Sequence, residues 1–252
     1  MKCKKEKYKG YNLYYFEDRF SEIGKKIIDK NYKEDKILKD TKRNFVEIIS
    51  VNEEKFVLKE NRNEHIIPQR KLMTFFKKGE ALTTLINLNK LIENYNLKEY
   101  VKPLFAINKR KYGFITYSAL VMENINGEED RSYLDEIVKL MEKVHTFKIY
   151  HGDFNPGNFL LENGKIRIID TQGKKMLFGN YRAHYDMLTM KMDSYKEMIY
   201  PYKKDLMYYF TLGIKKIKKN SFIEKIKFEK KKLREKGWKI WTKQKFYFIM
   251  EV

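Results

Sequence analysis

Two short segments constrain this chain more than any others: His151 to Phe159 reads HGDFNPGNF, and Ile168 to Lys175 reads IIDTQGKK. Asp153, Asn158 and Asp170 put three oxygen-bearing side chains into one loop and one neighbouring strand end. Phosphoryl transfer needs such a set. One carboxylate stays free of metal to receive the acceptor's hydroxyl proton, while an amide oxygen and a second carboxylate supply hard ligands for magnesium beside the nucleotide phosphates. The plain alternative is a chance tripeptide followed by an Asn/Pro/Gly turn. For that to hold, the spacing, the flanking apolar strands and the second Asp would all have to coincide.

At 252 residues the chain can bury a full core. Cys3 is the single cysteine, so no internal disulfide forms and a reducing compartment is permitted. No run approaches the roughly 20 apolar residues of a membrane span. The start, MKCKKEKYKG, lacks the apolar stretch of a signal peptide, so a cytoplasmic location is expected. Abundant Lys, Asn, Ile, Tyr and Phe fit AT-rich coding, yet the charge is uneven. Residues 203–252 hold 16 Lys or Arg against 5 Asp or Glu, over half of the formal net charge of +20. Leu206, Phe210, Ile214 and Ile217 recur at helical spacing, so these lysines most simply form the solvated face of helices packed on a core. The functional alternative is a basic surface drawn to anionic lipid or a phosphorylated acceptor, with Phe222, Phe228, Trp238 and Trp241 interleaved. Charge would also allow nucleic-acid binding, but no such motif appears, and none is expected as a partner.

Asn44 to Val51 and Lys55 to Glu60 are β-rich runs joined by a polar turn at Asn52 to Glu54, which predicts a hairpin. Lys59 is the penultimate residue of FVLKE on its second strand, where a point charge can steady nucleotide phosphates if an acidic helix residue aims it. Apolar spacing predicts a helix from about Lys71 to Asn94, and Glu80, in its middle, is the candidate partner. Strands are expected at Pro103 to Asn108 and Tyr117 to Glu123. The linker Asn124 to Asp130 then reads as a hinge, whose backbone from Met122 to Ile125, with Glu123 and Ile125 foremost, would face an adenine ring. Ser132 is expected to cap the next helix, whose stripe is Leu134, Ile137, Val138, Met141 and Val144.

From about Lys36 to Lys175 the chain resembles the lipopolysaccharide core heptose(II) kinases, small bacterial members of the protein-kinase-like fold. FVLKE, IIPQRKLMTFFKKGEALTTL, HGDFNPGNF and IIDTQGKK carry the resemblance. It implies a bilobal α+β fold, with a small antiparallel-sheet lobe over residues 1–124 (core 35–123) and a mainly helical lobe over 125–252. It implies ATP and Mg2+ as cofactors, with Asp153 as catalytic base, Asn158 and Asp170 as metal ligands, and Lys59 with Glu80 orienting phosphates. The acceptor would be a heptose hydroxyl of a lipid-linked saccharide, met at the anionic inner-membrane surface.

Departures qualify the likeness. No glycine lies between Gly24 and Gly79, so no glycine-rich loop wraps the phosphates. Thr171 and Gln172 follow Asp170, and Gly152 precedes Asp153, which gives a protein-kinase-style activation switch no basis. HGDxxPGN is shared with aminoglycoside phosphotransferases and choline kinases, so a small-molecule kinase of that kind is the alternative. A pseudokinase binding module at the membrane is a further one. His151 is expected to pack inward and bond the backbone near Asp170; Asp186 is expected either to brace the catalytic loop or to form a surface salt bridge. His65, His145 and His184 show no metal-ligand spacing with one another or with Cys3.

Overall fold

In the computed structural model, which describes residues 2–218, alternation along the strands decides where each side chain goes. Strands β1 (Lys4–Tyr8), β2 (Tyr11–Tyr15), β3 (Lys33–Asp40), β4 (Phe45–Val51), β5 (Glu54–Glu60), β6 (Pro103–Lys111) and β7 (Phe114–Glu123) make one antiparallel sheet ordered β1-β2-β6-β7-β5-β4-β3. Helix α1 (Arg19–Ile28) joins β2 to β3, and α2 (Asn63–Ile66), α3 (Pro68–Phe76) and α4 (Glu80–Tyr95) join β5 to β6. Phe56 and Leu58 share one sheet face with Ile49, Phe105, Ile107 and Val121, and α1 covers them with Phe20, Ile23 and Ile27. On the other face Ala106 and Leu120 meet Ala81, Leu82 and Leu85 of α4. Lys59 follows Leu58 and pairs across the ladder with Leu120, so the period of two turns it toward the α4 side.

The second lobe is built on α5 (Leu134–Thr146), whose five predicted stripe residues are all buried. After it come β8 (Ile149–Tyr150), the hairpin β9 (Phe159–Glu162) and β10 (Lys165–Ile168), and β11 (Lys174–Lys175), which pairs with β8. Then follow α6 (Tyr181–Thr189), a π-helical turn over Met190–Ser194, and α7 (Leu206–Lys218). Their core joins Met141, Phe154, Phe159, Ile168 and Met187 to Leu88 and Leu91 of α4.

Four expectations are corrected. The helix expected over Lys71 to Asn94 is two, α3 and α4, because Gly79 takes φ 93°, a conformation that breaks the helix and suits glycine. Glu80 therefore opens α4 instead of lying mid-helix. Asp130, not Ser132, caps the turn before α5, its Oδ1 accepting from the Ser132 N–H at 2.9 Å. Three of the four stripe residues of α7 face outward, Leu206, Phe210 and Ile217 being 81%, 56% and 61% exposed, while Ile214 is half-buried. Lys215, 5% exposed, is turned inward instead, because its long stem can be buried while its ammonium reaches Thr189 at 2.9 Å and Asp193 at 3.4 Å. Lys219, Phe222, Phe228, Trp238 and Trp241 lie outside the described residues. The β1, β2 and α1 segment went unread in the sequence.

Glu64 holds the break in place. It is 7% exposed, and its Oε1 accepts from the Glu80 N–H at 2.7 Å, satisfying one orphan donor at the start of α4. Burial pushes its carboxyl above the usual carboxylate range. Glu64→Ala should lower stability by about 1 kcal/mol, since it strands a partly buried N–H. Glu64→Gln keeps an acceptor without the buried charge and should match or exceed wild type in urea unfolding at pH 7. The folded state holds the Glu64 proton more tightly than the unfolded one. Any advantage of the Gln variant should therefore shrink as pH falls through the raised folded pKa.

Candidate active site

The loop between β8 and β9 carries Asp153 and is held from below. Asp186 of α6, 1% exposed, accepts from the His151 N–H at 2.7 Å with Oδ2 and from the Gly152 N–H at 3.0 Å with Oδ1. His145 Nε2 meets the same carboxylate at 3.3 Å, and Tyr202 Oη lies 2.6 Å from His145 Nδ1. Of the two roles expected for Asp186, the structure shows the brace. His151 packs inward as expected: its Nε2–H donates to the Ile169 carbonyl at 3.1 Å, and its Nδ1 accepts the Asp153 N–H at 3.3 Å. An Nδ1 that accepts is unprotonated, and burial holds the imidazole below its ordinary pKa, so His151 is a neutral strut.

Asp153 itself is exposed, and among the described residues its carboxylate makes neither a hydrogen bond nor an ion pair. Its carbonyl is the anchor: the Asn155 N–H donates to it at 3.0 Å and Asn158 Nδ2 at 2.8 Å. With its amide nitrogen committed there, Asn158 keeps Oδ1 as an open acceptor. The Ile169 N–H donates to the Asn158 carbonyl at 3.0 Å, which brings Asp170 beside it. Asp170 sits at φ 53°, a left-handed position that an L-residue other than glycine occupies at a cost, and such strain gathers at functional sites.

Lys59 forms an ion pair with Asp170 across the two lobes. Partial burial pushes the Asp170 carboxyl up, but Lys59, with help from Lys39 on β3, outweighs this and holds it below the usual range. Thr171 Oγ1 donates to the His151 carbonyl at 3.2 Å, and Asn87 of α4 donates to the Gln172 carbonyl at 3.1 Å. Asn158 and Asp170 offer oxygen donors only, which suits magnesium. Among the described residues, no group of three or more His, Cys, Asp or Glu could hold a metal.

The expected Lys59–Glu80 pair is not formed. Placed at the first position of α4, Glu80 faces α3 and meets Arg70 at 3.6 Å, while Lys59 is spent on Asp170. Glu123 has its N–H on the Lys102 carbonyl at 3.0 Å, and its carboxylate is shared by the Lys102 N–H at 2.8 Å and Arg167. The Asn126 N–H goes to Glu162 at 2.8 Å, whereas the Ile125 N–H has no hydrogen-bond partner among the described residues. Arg167 was missed in the sequence. An arginine inside the apolar run KIRIID is the signal that could have found it.

A sequence profile of the family described as Lipopolysaccharide core biosynthesis protein (WaaY) matches residues 2–250. The chain belongs to the WaaY family. It is 26% identical over 237 residues to a lipopolysaccharide core heptose(II) kinase WaaY of Escherichia coli, covering 88% of this chain and 96% of that one. A protein of the same description from Escherichia coli strain K12 is 26% identical over 111 residues, 40% of this chain and 48% of its own. The kinase domain of Mycobacterium tuberculosis PknI superimposes with a TM-score of 0.40 at 13% identity, over 63% of this chain and 71% of that one, a likeness too distant to argue from.

In this WaaY family member the loop geometry hangs on one carboxylate. Asp186→Ala should leave the buried His151 N–H and the partly buried Gly152 N–H without acceptors, at roughly 1–3 kcal/mol for the buried one. Denaturant titration together with a turnover assay checks this. Activity should fall by more than the loss of folded protein accounts for, because the loop that positions Asp153 loses its register.

Proposed function

We propose that this chain is an ATP-dependent kinase that transfers the γ-phosphoryl group to a heptose hydroxyl of the lipopolysaccharide core. The observation that carries this reading is the exposed, unpaired Asp153 carboxylate in a loop bonded to Asn158 and, through Ile169, to the strand end bearing Asp170, in a chain matched nearly end to end by a relative named a heptose(II) kinase. Asp153 receives the acceptor's proton. Asn158 Oδ1 and the Asp170 carboxylate would hold Mg2+, which when bound neutralises charge developing on the phosphates. Lys59, released from Asp170 as nucleotide enters, sets its ammonium against those phosphates. The Ile125 N–H is free for an adenine edge, while the Glu123 side chain secures the strap behind it. In this reading residues 1–124 grip nucleotide and residues 125–252 carry the acceptor.

The acceptor is lipid-linked, so the enzyme works from the cytoplasmic side against an anionic surface. No helix among the described residues is long and apolar enough to cross a membrane. Peripheral contact is supported by the outward Leu206, Phe210 and Ile217 of α7, flanked in sequence by Lys203, Lys204 and Lys216. Such a face combines apolar insertion with electrostatic attraction. Lys215 is excluded from it by burial.

Asp153→Asn should abolish transfer to core saccharide while leaving Mg2+-nucleotide affinity within about twofold by calorimetry, since the base touches the acceptor and not the metal. Asp170→Ala should weaken that affinity itself. Wild-type turnover by the Asn variant would refute the assignment. Replacing Leu206 and Ile217 with Gln together should cut activity on liposome-embedded acceptor far more than on the soluble, deacylated saccharide. Equal losses on both would remove the membrane from this face.

A further inference from the structure

Arg182, the second residue of α6, is exposed, yet its guanidinium is not loose. Its central carbon lies 5.0 Å from the Tyr150 ring centroid and 5.3 Å from that of Tyr181, so the side chain is held between two aromatic rings. Tyr181 is braced in turn by Phe210 at 5.8 Å. Among the described residues no carboxylate pairs with Arg182. In a chain with 54 Lys and Arg against 34 Asp and Glu an unpaired cation is ordinary. One that lies over two rings is less so, because stacking restricts the rotamer freedom that a binding event would otherwise have to freeze.

Its location is what gives the arginine a purpose. Tyr150 lies against Gly152, where an added Cβ would come within 3.4 Å of the Tyr150 ring, and Gly152 precedes Asp153. Gly152 has φ 90°, a left-handed turn that glycine permits. Lys174 is the cross-strand partner of Tyr150, which adds a second cation to the same short ladder. The nucleotide-side groups are reached from Asp153 by another route, through Asn158 and Ile169.

We infer that Arg182, clamped by Tyr150 and Tyr181 and assisted by Lys174, is a binding subsite for an oxoanion carried by the acceptor saccharide, either a phosphate or a sugar carboxylate. A planar guanidinium offers paired N–H donors that match either oxoanion in two-point fashion, and Lys174 adds a point charge. The inference rests on the kinase reading for its direction, since it assumes that the acceptor approaches Asp153. It gives Arg182 a positioning role: engaging a substituent distant from the reacting hydroxyl fixes which hydroxyl reaches the base.

The test measures binding of isolated core saccharide by calorimetry, with a nonhydrolysable nucleotide present, to wild type, Arg182→Gln, Arg182→Lys and Tyr150→Leu. Arg182→Gln should bind the saccharide about ten- to a hundredfold more weakly with nucleotide affinity unchanged. Arg182→Lys, which keeps charge without the planar fork, and Tyr150→Leu, which keeps the arginine without one ring, should fall between. Wild type should then lose the same affinity toward saccharide stripped of phosphate by phosphatase, or else toward saccharide with reduced carboxyl groups, and the sensitive arm names the anion. Wild type binding no better than Arg182→Gln, or indifferent to both treatments, overturns the subsite. Phosphoryl transfer by wild type, assayed on the same saccharide, separately decides the kinase reading.

Discussion

Asp186 is buried on α6 and would be costly there as a bare charge, but the loop between β8 and β9 spends two consecutive backbone N–H groups on it and α5 adds His145. Burial and bonding are thus mutually dependent: the carboxylate is tolerated because the loop solvates it, and the loop keeps its shape because the carboxylate cannot move. The rest follows in sequence. With residues 151 and 152 fixed, His151 reaches the Ile169 carbonyl, Asn158 reaches the Asp153 carbonyl, and Asp170 is delivered beside them with strained backbone. Nothing in that chain is a strong interaction alone. Its rigidity comes from sharing: the Asp186 carboxylate takes three contacts and the Asp153 carbonyl two, so no one group can turn without releasing several bonds.

The sheet lobe contributes one charge to this frame and the means of aiming it. Lys59 reaches Asp170 because strand alternation turns it to the α4 side, not because an acidic residue on α4 draws it there. Glu80 serves Arg70, and the acid that matters to α4 is Glu64, which supplies the acceptor at the start of the helix. Where a glycine-rich turn is missing, the β3–β4 hairpin brings cationic side chains instead, and Lys39 already bears on Asp170.

Local patterns were the legible part. The β4–β5 hairpin, its lysine, the α5 stripe and the HGDFNPGN loop are each written in consecutive or periodic residues, and each lies where the sequence puts it. Two kinds of information were not legible. One is the choice among equivalent partners: which of several Glu residues meets which cation depends on a helix break set by the φ of a single glycine, Gly79. The other is the direction in which an amphipathic helix faces. On α7 the periodicity was present, but tertiary contacts with Thr189 and Asp193 turned Lys215 inward and left Leu206 and Phe210 outside. The β1, β2 and α1 segment escaped because KKEKY and YNLYY mix lysine and tyrosine on exposed or half-covered strands and show little apolar alternation.

The helix α4 belongs to two cores at once. Its first turns, with Leu82 and Leu85, are packed under the sheet, and its later turns, with Leu88 and Leu91, are packed into the helical lobe. The segment just beyond it is stitched to β10, with the Ile168 N–H on the Glu99 carbonyl and the Val101 N–H on the Ile168 carbonyl. A rod embedded at both ends couples the bodies it joins. Wide separation of the lobes would strip apolar contacts from one core or the other. Any displacement of one lobe against the other therefore loads α4 first, and the packed helix is the fulcrum between them.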